Sequence, residues 1–169
     1  AAGPDNSCIY VIKTGLDTLS PGLIVVDSTR FEVIANVAFS FNPFSVVISP
    51  DGSRAFVCGT EIHSAPHNGR LAIVDTATYK VLHTINLLQL NTVGIAINPE
   101  GSRVYITNAN GDDGGTVSIV DTQNYSILDK IQVGSNPHEI VVSPDGSRVY
   151  TVRTSGDLLV VIDARTSSG

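Results

Sequence analysis

Ser143-Pro144-Asp145-Gly146-Ser147-Arg148-Val149-Tyr150-Thr151 decides the fold, because it recurs three more times with substitutions. Ser49-Pro50-Asp51-Gly52-Ser53-Arg54-Ala55-Phe56-Val57 and Asn98-Pro99-Glu100-Gly101-Ser102-Arg103-Val104-Tyr105-Ile106 are near copies, and Gly3-Pro4-Asp5-Asn6-Ser7-Cys8-Ile9-Tyr10-Val11 is a more distant one. Their prolines are 46, 49 and 45 residues apart, a period typical of repeat architectures. A second marker keeps phase with the first: Ile24-Val25-Val26-Asp27, Ala72-Ile73-Val74-Asp75, Ser118-Ile119-Val120-Asp121 and Val160-Val161-Ile162-Asp163. An aromatic follows the first three aspartates four residues on, at Phe31, Tyr79 and Tyr125.

Each unit resolves into strands by its alternation of apolar residues and its turn chemistry. In the third unit, strand a is expected over Val93–Ile97, b over Val104–Asn108 and c over Thr116–Val120. Strand d places Ile127, Asp129, Ile131 and Val133 on one face. Proline presets φ in the a–b turn and glycine supplies the left-handed position after it. The aspartate closing strand c can accept hydrogen bonds from its own turn, which explains its recurrence without any chemistry. Four short antiparallel strands in about 45 residues make one propeller blade.

The run Pro-Asp-Gly-Ser-Arg-Val-Tyr, together with Val104-Tyr105-Ile106-Thr107-Asn108, resembles the YVTN family of β-propeller repeats. The resemblance covers essentially the whole chain. It implies an all-β fold of about 3.5–4 four-stranded antiparallel blades, with approximate units 1–43, 44–92, 93–137 and 138–169. Such repeats occur in surface-layer and other extracytoplasmic proteins, so the expected location is extracytoplasmic or at the cell surface. Lactonase-like and electron-transfer propellers, including the seven-bladed ones, look similar blade by blade. The chain is expected to start just before a strand b and finish after a strand c. It is then a partial ring, or half of a ring completed by another chain or segment.

Composition narrows the function classes. Hydrophobic residues make up 42% and charged ones 15% of the 169 residues, the profile of a folded domain. A formal charge of −6 with 10 scattered basic residues argues against nucleic acid, which demands clustered Lys and Arg. No apolar run approaches the roughly 20 residues of a membrane span. Cys8 and Cys58 fall at opposite ends of corresponding strands, so both are expected as free thiols, Cys58 as a small buried apolar residue.

Unit-by-unit comparison separates two kinds of loop. The a–b and c–d turns are short and nearly constant. The b–c loops (residues 14–21, 60–70, 108–115 and 154–157) and the d–a connections (40–43, 88–92 and 134–137) differ strongly. Antiparallel strands put these two variable sets on one face, and binding concentrates on variable loops held by a rigid frame. The candidate binding residues are therefore Glu61, His63, His67, Asn68, Asn110, Asp112, Asp113, His138 and Glu139. His63, His67 and His138 are the candidate transition-metal ligands. The Asn/Asp/Gly run from 108 to 115 carries the oxygen ligands of a Ca²⁺ loop, though not in EF-hand order. For both ions the plainer reading is a solvated polar loop, and no cofactor is expected. His83, within a strand d, reads as packed and hydrogen-bonded at a blade interface, and Asn124-Tyr125-Ser126 is a lone glycosylation sequon.

No haem-attachment motif, nucleophile elbow, P-loop or HExxH is present. The expected function is a non-enzymatic scaffold that presents its variable face to a protein or glycan partner, with a second copy of the chain as the alternative completion of the ring. The competing expectation is part of a lactonase-like or redox enzyme with its active site at the central channel mouth.

Overall fold

The computed structural model describes residues 1–15, 20–61, 67–109, 114–154 and 158–165. Fourteen strands are found among them, and no helix. β1 (Cys8–Lys13), β2 (Gly22–Asp27) and β3 (Val33–Ala38) form the first sheet. β4 (Phe41–Ile48), β5 (Arg54–Glu61), β6 (Asn68–Asp75) and β7 (Val81–Leu90) form the second. β8 (Thr92–Ile97), β9 (Arg103–Asn108), β10 (Gly115–Asp121) and β11 (Ile127–Gly134) form the third. β12 (Pro137–Val142), β13 (Arg148–Arg153) and β14 (Leu158–Asp163) form the fourth.

Every sheet is an antiparallel meander, so strands adjacent in sequence are adjacent in space. The strand types run b-c-d, a-b-c-d, a-b-c-d and a-b-c, as the repeat register requires. Ala1 and Ala2 already occupy the end of a strand a. Ala2 bridges Ile9, and the Ala1 carbonyl accepts the Tyr10 amide at 2.8 Å, the relationship that Ile48 has to Ala55 in the second sheet.

Local chemistry closes each a–b turn. Gly52, Gly101 and Gly146 have φ of 74°, 72° and 70°, and Asn6 takes the equivalent position at 58°. The Asp51 and Asp145 carboxylates accept the Ser53 and Ser147 amides at 3.0 Å, and both also receive neighbouring serine hydroxyls. In the third unit Asn98 replaces the serine, and its Oδ1 accepts the Arg103 amide at 2.9 Å, as Ser49 Oγ accepts that of Arg54.

The c–d turns use the predicted aspartate. Asp27, Asp75 and Asp121 each accept two amides of their own turn. The aromatic that follows adopts a left-handed backbone, with φ of 56°, 55° and 61° at Phe31, Tyr79 and Tyr125. Bulky side chains rarely adopt that conformation. The turn closes on the Asp27 and Asp75 carbonyls, which accept the Phe31 and Tyr79 amides at 2.8 Å.

The two turn types are fastened to each other within a blade. Thr76 Oγ1 donates to the Gly52 carbonyl at 2.5 Å, and Thr122 Oγ1 to that of Gly101 at 2.6 Å.

The core lies between the sheets rather than within one. Tyr10, Leu23, Val25 and Val37 of the first sheet pack against Ala55, Val57, Ala72 and Val74 of the second. Phe56, Cys58, Leu71 and Ile73 pack against Val104, Ile106 and Val120 of the third. Tyr105, Val117 and Ile119 pack against Val149 and Ile162 of the fourth. Cys58 is buried and Cys8 half-buried, both as free thiols. One expectation is corrected: ladder pairing of β5 with β6 continues to Thr60 and Gly69, so the second b–c loop is shorter than residues 60–70.

Candidate binding face

The variable loops do share one face, and hydrogen bonds tie the two sets together. The Ala109 amide donates to the Asn91 carbonyl at 3.0 Å, and the Thr154 amide to that of Asn136 at 3.1 Å. Each joins a b–c loop to a d–a connection. The Gly15 amide reaches Asn42 Oδ1 of the next sheet at 2.9 Å. Asn91 and Asn136 take left-handed φ of 48° and 50°, which asparagine tolerates better than most residues, and this lets the chain pass from strand d to strand a in one or two residues.

At the centre of this face equivalent residues of three strands a come together. Phe44, Val93 and His138 hold equivalent places on β4, β8 and β12, and with Thr92 and Glu139 they border a concavity of about 410 Å³. Phe44 is 48% exposed. His138 Nδ1 stands 4.0 Å from Glu139 Oε1, and both side chains are exposed.

Two residues fix this mouth from below. Thr107 Oγ1 donates to the His138 carbonyl at 2.7 Å and accepts the Gly94 amide at 2.8 Å, so one buried hydroxyl joins β8, β9 and β12. Gly94 permits the approach, since a Cβ there would lie 2.6 Å from the His138 carbonyl oxygen. Beneath the third b–c loop, the fully buried Asn108 donates to Thr116 Oγ1 at 3.1 Å and Ser118 Oγ at 3.0 Å. That network stiffens the strand ends from which the loop springs.

A second group of expected residues gathers at the edge of the face. Glu61 receives Asn68 Nδ2 at 3.3 Å and Arg70 Nε at 3.1 Å, and Arg70 Nη2 makes a further short contact to the same carboxylate. His67 Nδ1 lies 3.2 Å from the Glu61 carbonyl. Arg70 was not singled out from the sequence. It occupies Glu61, so this carboxylate acts as a loop clamp. His63, Asn110, Asp112 and Asp113 lie outside the described residues, and among the described residues no three His, Cys, Asp or Glu side chains converge as a metal site would require.

His83 departs from its expected environment. It is exposed, with its ring 4.8 Å from that of Tyr125 in the next sheet. The blade interface is the right place for it, but the contact is a ring on a ring.

Structural comparison places this arrangement. Kuenenia stuttgartiensis hydrazine synthase aligns over 96% of this chain and 57% of its own, with a TM-score of 0.83 and 19% identity. TolB from Acinetobacter baumannii aligns over 98% of this chain and 40% of its own, with a TM-score of 0.68 and 22% identity. Both are β-propeller folds. The chain is a partial β-propeller. A functionally unknown protein from Desulfotomaculum acetoxidans DSM 771 aligns over 100% of this chain and 52% of its own, with a TM-score of 0.77 and 20% identity. The propeller segment thus spans about half the length of the structures it matches, and identities this low carry the fold alone. No protein-family profile and no curated protein match the propeller chain. Among the described residues no helix is long and apolar enough to cross a membrane.

Proposed function

We propose that this propeller is a non-enzymatic binding module of the YVTN type. Its variable face takes a polypeptide segment of a partner outside the cytoplasm, centred on Phe44, Val93, His138 and Glu139. One observation carries the reading. Among the described residues, an exposed aromatic and an apolar neighbour sit at the mouth where three blades converge, beside the Glu139 carboxylate and the His138 imidazole. An apolar side chain would bury against Phe44 and Val93, and a neighbouring basic group would meet Glu139. Rigid loop ends keep the ordering cost of binding low.

The test is amide chemical-shift mapping with a panel of short peptides and neutral oligosaccharides. Shifts confined to residues 44–45, 92–93 and 138–139 with apolar-basic peptides, lost in Phe44→Ala, support the module. Shifts produced only by sugars transfer the same site to glycan. A second reading rests on the neighbouring His138 and Glu139 side chains, exposed and 4.0 Å apart, an imidazole and a carboxylate of the kinds that serve in acid–base catalysis. Hydrolysis of a lactone panel that disappears in His138→Ala would replace the scaffold reading with an enzyme.

A further inference from the structure

The first residue of strand b is not the same in every unit. Arg54, Arg103 and Arg148 hold it in the second, third and fourth units, and Cys8 in the first. Strand alternation turns this side chain toward the following sheet, together with the residue two positions on: Tyr10 packs with the second sheet and Tyr105 with the fourth.

In the second and third units the arginine sets a guanidinium beside the joint. Arg103 Nη1 donates to the Ala164 carbonyl of the fourth sheet at 3.1 Å, and the same side chain bonds the Tyr105 hydroxyl. Arg54 Nη1 donates to Asp75 Oδ2 at 2.9 Å and to the Ser53 carbonyl at 2.8 Å.

The joint between the first and second sheets has equivalent walls with a thiol in the arginine's place. Tyr10 corresponds to Tyr105, and Thr76 to Ala164. The thiol is too short to span the joint, and a cavity of about 330 Å³ opens there, at the small end of ligand sites. Asp5, Cys8, Tyr10, Asp51, Thr76 and Tyr79 border it, and no lysine or arginine does so among the described residues. Both walls are internal to the chain, and they lie on the side away from the variable loops.

The lining suits a cation. Serine donors hold Asp51 down to about 2, and the Ser7 amide and hydroxyl lower Asp5 as well, so both carboxyls are ionised at neutral pH. Tyr79 packs on the first sheet with its hydroxyl at Cys8, and a phenol ring is a surface on which a guanidinium stacks. A planar fork matches carboxylates better than a compact ammonium does.

We infer that this cavity takes the guanidinium of a bound molecule, either a small alkylguanidine or an arginine of a polypeptide. The group enters beside Cys8 and meets the Tyr10 hydroxyl, the Thr76 carbonyl and the carboxylates of Asp5 and Asp51. What identifies the ligand is internal to the protein: the same repeat position supplies that group in the other units. The site is separate from the mouth around Phe44.

Amide-shift titrations with ethylguanidinium and ethylammonium chloride at equal ionic strength test this. Ethylguanidinium should give saturable shifts at residues 3–10 and 76–79, slow the alkylation of Cys8, and bind more tightly than ethylammonium. Cys8→Arg, which restores the arginine of the other units, should abolish the shifts and raise the thermal midpoint. Asp5→Asn should weaken binding about two- to fivefold, the size of an exposed ion pair, with an unchanged circular dichroism spectrum. A blocked Gly-Arg-Gly peptide that binds more tightly than ethylguanidinium assigns the site to polypeptide, and the reverse order assigns it to a small molecule. Absence of saturable shifts at these residues overturns the inference. So does equal binding of ethylammonium, or binding that persists in Cys8→Arg.

Discussion

Thr107 and His138 are joined across the boundary of the third and fourth blades: the threonine hydroxyl donates to the histidine carbonyl at 2.7 Å while accepting the Gly94 amide. A strand residue of one blade therefore sets the backbone position of a residue at the axial mouth of the next. Thr107→Val keeps the shape and removes both bonds, stranding a buried amide, which costs about 1–3 kcal/mol. Urea denaturation should show that loss as a lower midpoint with an unchanged slope.

Gly94→Ala probes the same contact sterically. The added methyl would meet the His138 carbonyl oxygen at 2.6 Å and Thr107 Oγ1 at 2.9 Å, so β12 must move away. Overpacking of this kind costs about 1–3 kcal/mol. A thermal melt should fall, and the amide shifts of residues 137–139 should move most.

Acid should loosen the standardised face. Hydroxyl and amide donors of Ser49 and Ser53 hold Asp51 down to about 2, and those of Ser143 and Ser147 do the same for Asp145. Unfolded, both carboxyls return to about 3.9, so the unfolded state binds more protons in acid. The stabilisation is complete above about pH 4 and is lost as pH falls through about 2. Stability measured from pH 7 to 2 should be level and then drop, and Asp51→Asn with Asp145→Asn should flatten that drop.

The two thiols should react differently. Burial pushes Cys58 up to about 12, leaving no thiolate at neutral pH and no path to it, whereas Cys8 is half-exposed. An alkylating reagent should modify one cysteine per folded chain, at Cys8, and both after unfolding. Rapid labelling of Cys58 in native protein would contradict this packing.

The frame was legible because its determinants are local. Proline, glycine and aspartate at fixed offsets specify each turn whatever surrounds it, so the strand types could be read from Pro50, Gly101 or Asp121 alone. The mouth was legible only in part. His138 and Glu139 announced themselves as polar residues opening a strand a, just after a variable connection. Phe44 looked like any strand phenylalanine, and its exposure depends on where β8 and β12 run. Arg70 was hidden for a similar reason. Its bond to Glu61 links the two strands through their side chains, a pairing that propensity at either residue does not reveal. His83 was placed at the right boundary, but its partner Tyr125 lies on another blade.

The clasp between turns, Thr76 on Gly52 and Thr122 on Gly101, makes each blade a self-fastened cassette on the side away from the loops. Its closure owes nothing to what lies between strands b and c. Foreign sequence can therefore be grafted between Asn108 and Gly115 without unlatching the blade, and a library of such grafts would turn one scaffold into many receptors.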